Sequence, residues 1–307
     1  MFLPSDLPRP LTMPYRSRPL SRPRIPGRRT AISGVLAAVP AALLAAGALA
    51  PAPAAAASAP SGSTAAGFPA SVQAQGKARV TAAVLDLDGT GREPALYGAD
   101  TPYDTASIIK VDILAARLLQ AQDSGHGLTT QERAQAEKMI EHSDNTAADA
   151  LWRRVGLAPG LKAANKRLGL TSTAGGPGVK WGLTRTTASD QIRLLRGVFD
   201  TGAAMKAGTG PALDDASRAY IRTLMSGVAA DQAWGVSAAA GSGWALKNGW
   251  LQRNTTGLWD VNSVGRITAG GHHYLVAVLS DGNTSMKDGI ALVERAARTA
   301  VSTTTAH

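Results

Sequence analysis

Cysteine is absent from the 307 residues. That excludes disulfides, thiol catalysis, iron–sulfur clusters, Cys-ligated zinc and lipid attachment through a thiol. No period of 20–50 residues recurs, so the chain is not a repeat protein. Acidic residues are scarce at the start: residues 1–60 hold Asp6 alone against seven arginines. The remaining residues carry 25 basic and 21 acidic side chains, so most of the formal charge of +10 belongs to the leader. So small an excess over the body is no signature of a nucleic-acid partner. His272 and His273 stand without an Asp or His partner at metal-ligand spacing in the sequence, and no metal or other cofactor is expected. A hydrophobic fraction of 44% with 18% charged residues reads as a globular chain.

The leader has the three parts of a secretory signal. A basic stretch ends at Arg28-Arg29, an apolar run extends from about Ala31 to Ala50, and small residues follow. The expected organisation is a signal peptide over residues 1–57 with cleavage after Ala57, a Ser/Ala/Gly/Pro linker over 58–77, and one globular domain over 78–303. The expected destination is outside the cytoplasm, by the general route or, given the paired arginines, the twin-arginine route. No membrane span is expected to remain after cleavage, and monomer is the default state.

In the body, 78–88 reads as a strand with 93–97 as its hairpin partner. Apolar periodicity predicts helices over 107–119, 129–142, 147–155, 159–167, 187–199 and 214–225. A Gly/Thr/Pro-rich loop spans 169–184. Strand-like runs return at 242–246, 258–264 and 273–280, and 287–301 closes the chain as a helix. Strands at both ends around a helical middle predict an α+β fold: one antiparallel sheet flanked by helices, with an all-helical subdomain over about 107–190.

Three short motifs carry chemistry. In Ser107-x-x-Lys110 the two side chains share a helix face. A serine hydroxyl needs a base, and a lysine serves when a desolvated, electropositive site lowers its pKa. Ser143-Asp144-Asn145 lies between two helices, where such residues commonly cap. Read functionally, Ser143 relays a proton to a leaving group, Asn145 holds a substrate amide, and Asp144 fixes the loop. In Lys247-Asn248-Gly249-Trp250, Lys247 and Asn248 are candidates for binding a substrate carboxylate, and Gly249 permits close backbone approach. The backbone N–H groups of Ser107 and Trp250 are candidates for an oxyanion hole. Each motif has an ordinary structural reading when taken alone.

Together and in this order, the motifs resemble the serine β-lactamase and penicillin-binding protein superfamily, in its class A β-lactamase-like branch. The stretches YDTASIIKVDIL, MIEHSDNTAADALW, TRTTASD and ALKNGW fit the same pattern. The resemblance implies a five-stranded antiparallel sheet beside a helical subdomain, with the site between them. It implies that Ser107 attacks an amide carbonyl, that Lys110 takes its proton directly or through water, and that Ser143 protonates the departing nitrogen.

Three departures bear on the expected activity. Class A enzymes carry a loop glutamate that activates the deacylating water, whereas this chain has no Glu or Asp between Asp149 and Asp190. Ser107 and Ser143 are only 36 residues apart, shorter than in that class, which implies a more open site. Asn248 stands where the family usually has threonine or serine. The expectation is a serine hydrolase that opens β-lactams with slow release of the acyl group. The alternative is a D-alanyl-D-alanine carboxypeptidase or related cell-wall peptidase acting on peptidoglycan peptides.

Overall fold

In a computed structural model, the chain divides into residues 1–57 and residues 58–307. The described residues are Phe68, Val72, Ala74, 76–91, 93–200 and 212–305. The expected signal peptide, its cleavage site and most of the linker lie outside them.

Among the described residues, seven strands and seven α-helices follow in order. β1 (Arg79–Asp86), β2 (Ala95–Tyr97) and β3 (Tyr103–Asp104) come first. Then come α1 (Ile109–Asp123), α2 (Thr130–Glu141), α3 (Asn145–Val155), α4 (Leu157–Leu168), β4 (Arg185–Thr186), α5 (Ala188–Phe199) and α6 (Asp215–Ser226). The chain closes with β5 (Ser242–Gln252), β6 (Trp259–Ala269), β7 (His272–Asn283) and α7 (Met286–Thr305). The main sheet has five antiparallel strands in the order β2-β1-β7-β6-β5. β3 and β4 form a separate two-stranded pair that ties the segment before Ser107 to the segment after the 169–184 loop.

The sheet is covered on both faces, and its strands show this in their alternation. Ala83, Leu85, Leu275, Ala277 and Leu279 face a core shared with α1–α6. Their neighbours Ala82, Val84, Val276 and Val278 face a second core shared with Leu292, Val293, Ala296 and Ala297 of α7. Among the described residues, no helix is long and apolar enough to cross a membrane.

Capping sets the helix starts around the site. Thr129 and Glu132 form a reciprocal capping box for α2, and Glu132 also takes a hydrogen bond from Arg117 at 2.8 Å. Asp144 caps α3 by accepting from the Ala147 N–H at 2.6 Å. The histidines of β7 do have acidic partners, contrary to the sequence expectation. β1–β7 pairing brings His272 Nδ1 to 2.9 Å from Asp86 and His273 Nδ1 to 2.9 Å from Asp88. No sequence spacing signals a contact made between opposite ends of the chain.

Candidate active site

Ser107 sits in a short 3-10 turn, Ala106–Ile108, that leads directly into α1. Lys110 follows in the first turn of α1 and is fully buried, while Ser107 stays partly exposed. Ala106, just before the nucleophile candidate, has φ +46°, and Ser143 has φ +54°. Left-handed backbone at non-glycine residues is strained, and two of the three such positions among the described residues flank this site.

The nucleophile turn is pinned from three sides. Thr105 N–H donates to the Thr184 carbonyl at 2.8 Å. Asn262 on β6 donates through Nδ2 to the carbonyls of Asp104 at 2.9 Å and Thr105 at 3.1 Å. Gly249 on β5, the register partner of Asn262, lies directly against the turn. A Cβ there would stand 2.7 Å from Ser107 N and from Thr105 O, and 2.8 Å from Ile108 N. These are backbone atoms, so only glycine fits.

The reactive side chains meet at Ser143. Lys110 Nζ donates to the Ser143 carbonyl at 2.6 Å, to Ser143 Oγ at 3.0 Å and to Asn145 Oδ1 at 2.8 Å. Lys247, also fully buried, donates to the same Ser143 Oγ at 3.0 Å and to the Asn248 carbonyl at 3.0 Å. Burial pushes Lys110 down to about 7, with Asp144 and Asp149 partly opposing the shift. Burial, and then the neighbouring Lys110, push Lys247 well below the usual lysine range. Two cations competing for one hydroxyl in a dry site favour the neutral amine, the form that accepts a proton. The Ser107 side chain is partly exposed and makes no side-chain hydrogen bond to a described residue.

Asn248 departs from its expected role. Successive strand residues point to opposite faces, so Lys247 faces Ser143 while Asn248 faces away. Its Nδ2 donates to the carbonyls of Gln232 at 2.7 Å and Trp234 at 2.9 Å. Both amide hydrogens are thereby committed inside the protein rather than offered to a substrate carboxylate. Arg253 is likewise engaged, with Asp104.

Three contributors were not among the candidate site residues read from the sequence: Asn262, Trp181 and Asp149. The Trp181 ring lies over Lys110, with Nζ 4.8 Å from the ring centroid. Its Nε1 donates to Asp149 Oδ1 at 2.8 Å.

Two buried lysines thus meet at one serine hydroxyl, and a second, partly exposed serine stands three residues before the first of them. The chain belongs to the beta-lactamase enzyme family, whose model matches residues 120–304. That match contains Ser143 and Lys247 and begins beyond Ser107 and Lys110. Among solved structures, a penicillin-binding protein, PBP-A, is 20% identical, covering 77% of this chain and 93% of its own at a TM-score of 0.62. A point mutant of PBP-A, solved as an acyl-enzyme complex with penicillin G, is also 20% identical, covering 76% and 92% at 0.60. A representative of class A β-lactamase from Bacteroides cellulosilyticus DSM 14838 is 16% identical, covering 75% and 93% at 0.62. At these identities the likeness is one of fold. No protein with a curated description matches.

Proposed function

We propose that the protein is an exported serine hydrolase that opens β-lactam amides through an acyl-enzyme on Ser107 and releases the acyl group slowly. The observation that carries this reading is the single Ser143 hydroxyl bonded by two buried lysines whose pKa values burial lowers, the first of them three residues after Ser107. Neutral Lys110 takes the proton of Ser107, directly or through water, as Oγ adds to the carbonyl carbon. The N–H groups of Ser107 and Trp250 stabilise the oxyanion. Ser143 passes a proton to the departing nitrogen, and Lys247 replenishes it and attracts the substrate carboxylate. Asn145, whose Oδ1 is held by Lys110, presents its amide N–H to the substrate.

Slow release follows from the loop. No carboxylate lies between Asp149 and Asp190 to activate water from that side. The second reading, a D-alanyl-D-alanine carboxypeptidase or related cell-wall peptidase, uses the same acylation machinery. It is favoured by the shortened segment between Ser107 and Ser143.

The test is intact-mass spectrometry of the purified protein with a penicillin over time, beside Ser107→Ala. A persistent adduct that the substitution abolishes supports slow release. Rapid conversion of the drug to its ring-opened acid with no adduct would overturn it, and no adduct with no conversion would overturn acylation itself.

A further inference from the structure

We propose that Trp181, latched by Asp149, is the positioning residue that keeps water away from Lys110 and so prolongs the acyl-enzyme. This role rests on the Ser107 chemistry proposed above and supplies its physical means.

The three protons of the Lys110 ammonium are directed at the Ser143 carbonyl, Ser143 Oγ and Asn145 Oδ1. The Trp181 ring covers a further approach to the nitrogen, and no exposure of Lys110 remains. One helix face organises both contacts. Asn145 and Asp149 are four residues apart on α3 and therefore neighbours on its surface. The first accepts from Lys110, and the second accepts from the Trp181 indole N–H.

The loop that carries the ring is anchored independently. Trp152 Nε1 donates to the Gly178 carbonyl at 2.9 Å, and Gly176 N–H donates to Thr184 Oγ1 at 3.0 Å. Thr184 in turn receives the Thr105 N–H, so the loop is tied to the segment bearing Ser107. A ring fixed at both its indole nitrogen and its backbone is a static cover rather than a passing contact.

Hydrolysis of the acyl-enzyme needs a water whose oxygen adds to the acyl carbonyl carbon. One proton of that water goes to the neutral amine of Lys110. The bond from the carbonyl carbon to Ser107 Oγ then breaks, and Oγ takes the proton back, releasing the acid. With the indole in place, water cannot reach the amine from the ring side. Removing the ring opens that side beside the Asp149 carboxylate, which loses its indole donor and keeps its pairing with Arg153.

The experiment compares the wild type with Trp181→Ala, Trp181→Phe and Trp181→Ala/Asp149→Asn. Two readouts are taken: the lifetime of the penicillin adduct by intact mass, and reductive methylation of Lys110 without penicillin, mapped by peptide. Trp181→Ala is expected to shorten the adduct lifetime at least about tenfold, equivalent to about 1.4 kcal/mol in the barrier. It is also expected to expose Lys110 to methylation while buried Lys247 stays protected. Trp181→Phe keeps an aromatic face and is expected to stay within about threefold of wild type. The double variant is expected to recover part of the lifetime, because the carboxylate is gone. Equal lifetimes and equal methylation in wild type and Trp181→Ala would overturn the shield and leave the hydrolase reading standing. So would wild-type Lys110 that methylates as fast as exposed Lys162. Absence of both adduct and ring-opened drug from every variant would overturn the hydrolase reading itself.

Discussion

Lys110 and Lys247 converge on one atom: each ammonium nitrogen lies 3.0 Å from Ser143 Oγ. A hydroxyl oxygen has two lone pairs, so Ser143 can accept from both and still donate its own proton outward. The two lysines come from α1 and β5, elements 137 residues apart between Lys110 and Lys247. Ser143 is the point at which the helical subdomain and the sheet share a proton network.

The first prediction concerns pH. With Lys110 near 7, the proton-accepting form grows as pH rises through 7. The second-order rate of penicillin adduct formation should therefore climb between pH 6 and 8, with its midpoint at about 7. Lys110→Arg keeps the charge and cannot lose a proton, so it should lower acylation by about 10²–10⁴-fold at every pH. A flat profile in the wild type would remove Lys110 as the base.

Lys247→Met should separate stability from activity. Burial holds Lys247 well below the usual lysine range, so the unfolded chain binds a proton more readily than the folded one and charging this lysine costs stability as pH falls. An apolar side chain of similar length avoids that cost. Thermal denaturation at pH 7 should show a higher Tm, from added stability on the order of 1 kcal/mol, with acylation nearly abolished. A lower Tm would contradict the burial argument.

Gly249→Ala should damage the site through packing alone. Its methyl would sit 2.7–2.8 Å from three backbone atoms of the nucleophile turn. The turn must move, at a cost of about 1–3 kcal/mol. Titration with penicillin should show slowed acylation in a protein that still folds. Wild-type kinetics would mean that the strand and turn separate freely.

Asp112 makes a prediction in the opposite sense to the lysines. Fully buried on α1 and bonded by Asn165, it is pushed up to about 7 by burial. Its proton is kept on folding but lost from the unfolded chain above about 4. The resulting stability is present at low pH and is lost as pH rises through 7. Asp112→Asn should therefore gain Tm at pH 8 relative to pH 5, removing a slope of up to about 1.4 kcal/mol per pH unit. Parallel Tm curves for both proteins would refute this.

Asn248→Ala tests whether that residue is scaffold or substrate contact. Losing two buried hydrogen bonds to Gln232 and Trp234 should cost about 1–3 kcal/mol in denaturant unfolding. Penicillin acylation at a temperature where both proteins are folded should change little. A large kinetic defect at wild-type stability would reinstate Asn248 as a substrate contact.

What the sequence made legible was local chemistry and coarse order. Ser107 with Lys110, Ser143 with Asn145, and Lys247 are short patterns, and the structure brings Lys110, Ser143, Asn145 and Lys247 together. Strands at both chain ends also announced the single sheet. The limits have physical causes. β5 reads as ending at Leu246 because Gly249 weakens a strand pattern, yet it runs to Gln252. Its glycine answers to the backbone of Ser107, a contact that no propensity contains. Asn248 is misread from sequence because face depends on register, and a single residue step reverses it. Trp181, Asp149 and Asn262 act through pairings set by tertiary packing, with no spacing of their own.

The order of the sheet has a consequence for synthesis. β1 finds its long partner only in β7, which ends at Asn283. A nascent chain therefore carries Ser107 and Lys110 through the synthesis of the next 137 residues before Lys247 is made, and further still before the sheet is complete. The sheet that holds the Ser107 turn is therefore complete only after Asn283 has been made, so a chain stopped before that point lacks the scaffold on which the proposed acylation depends.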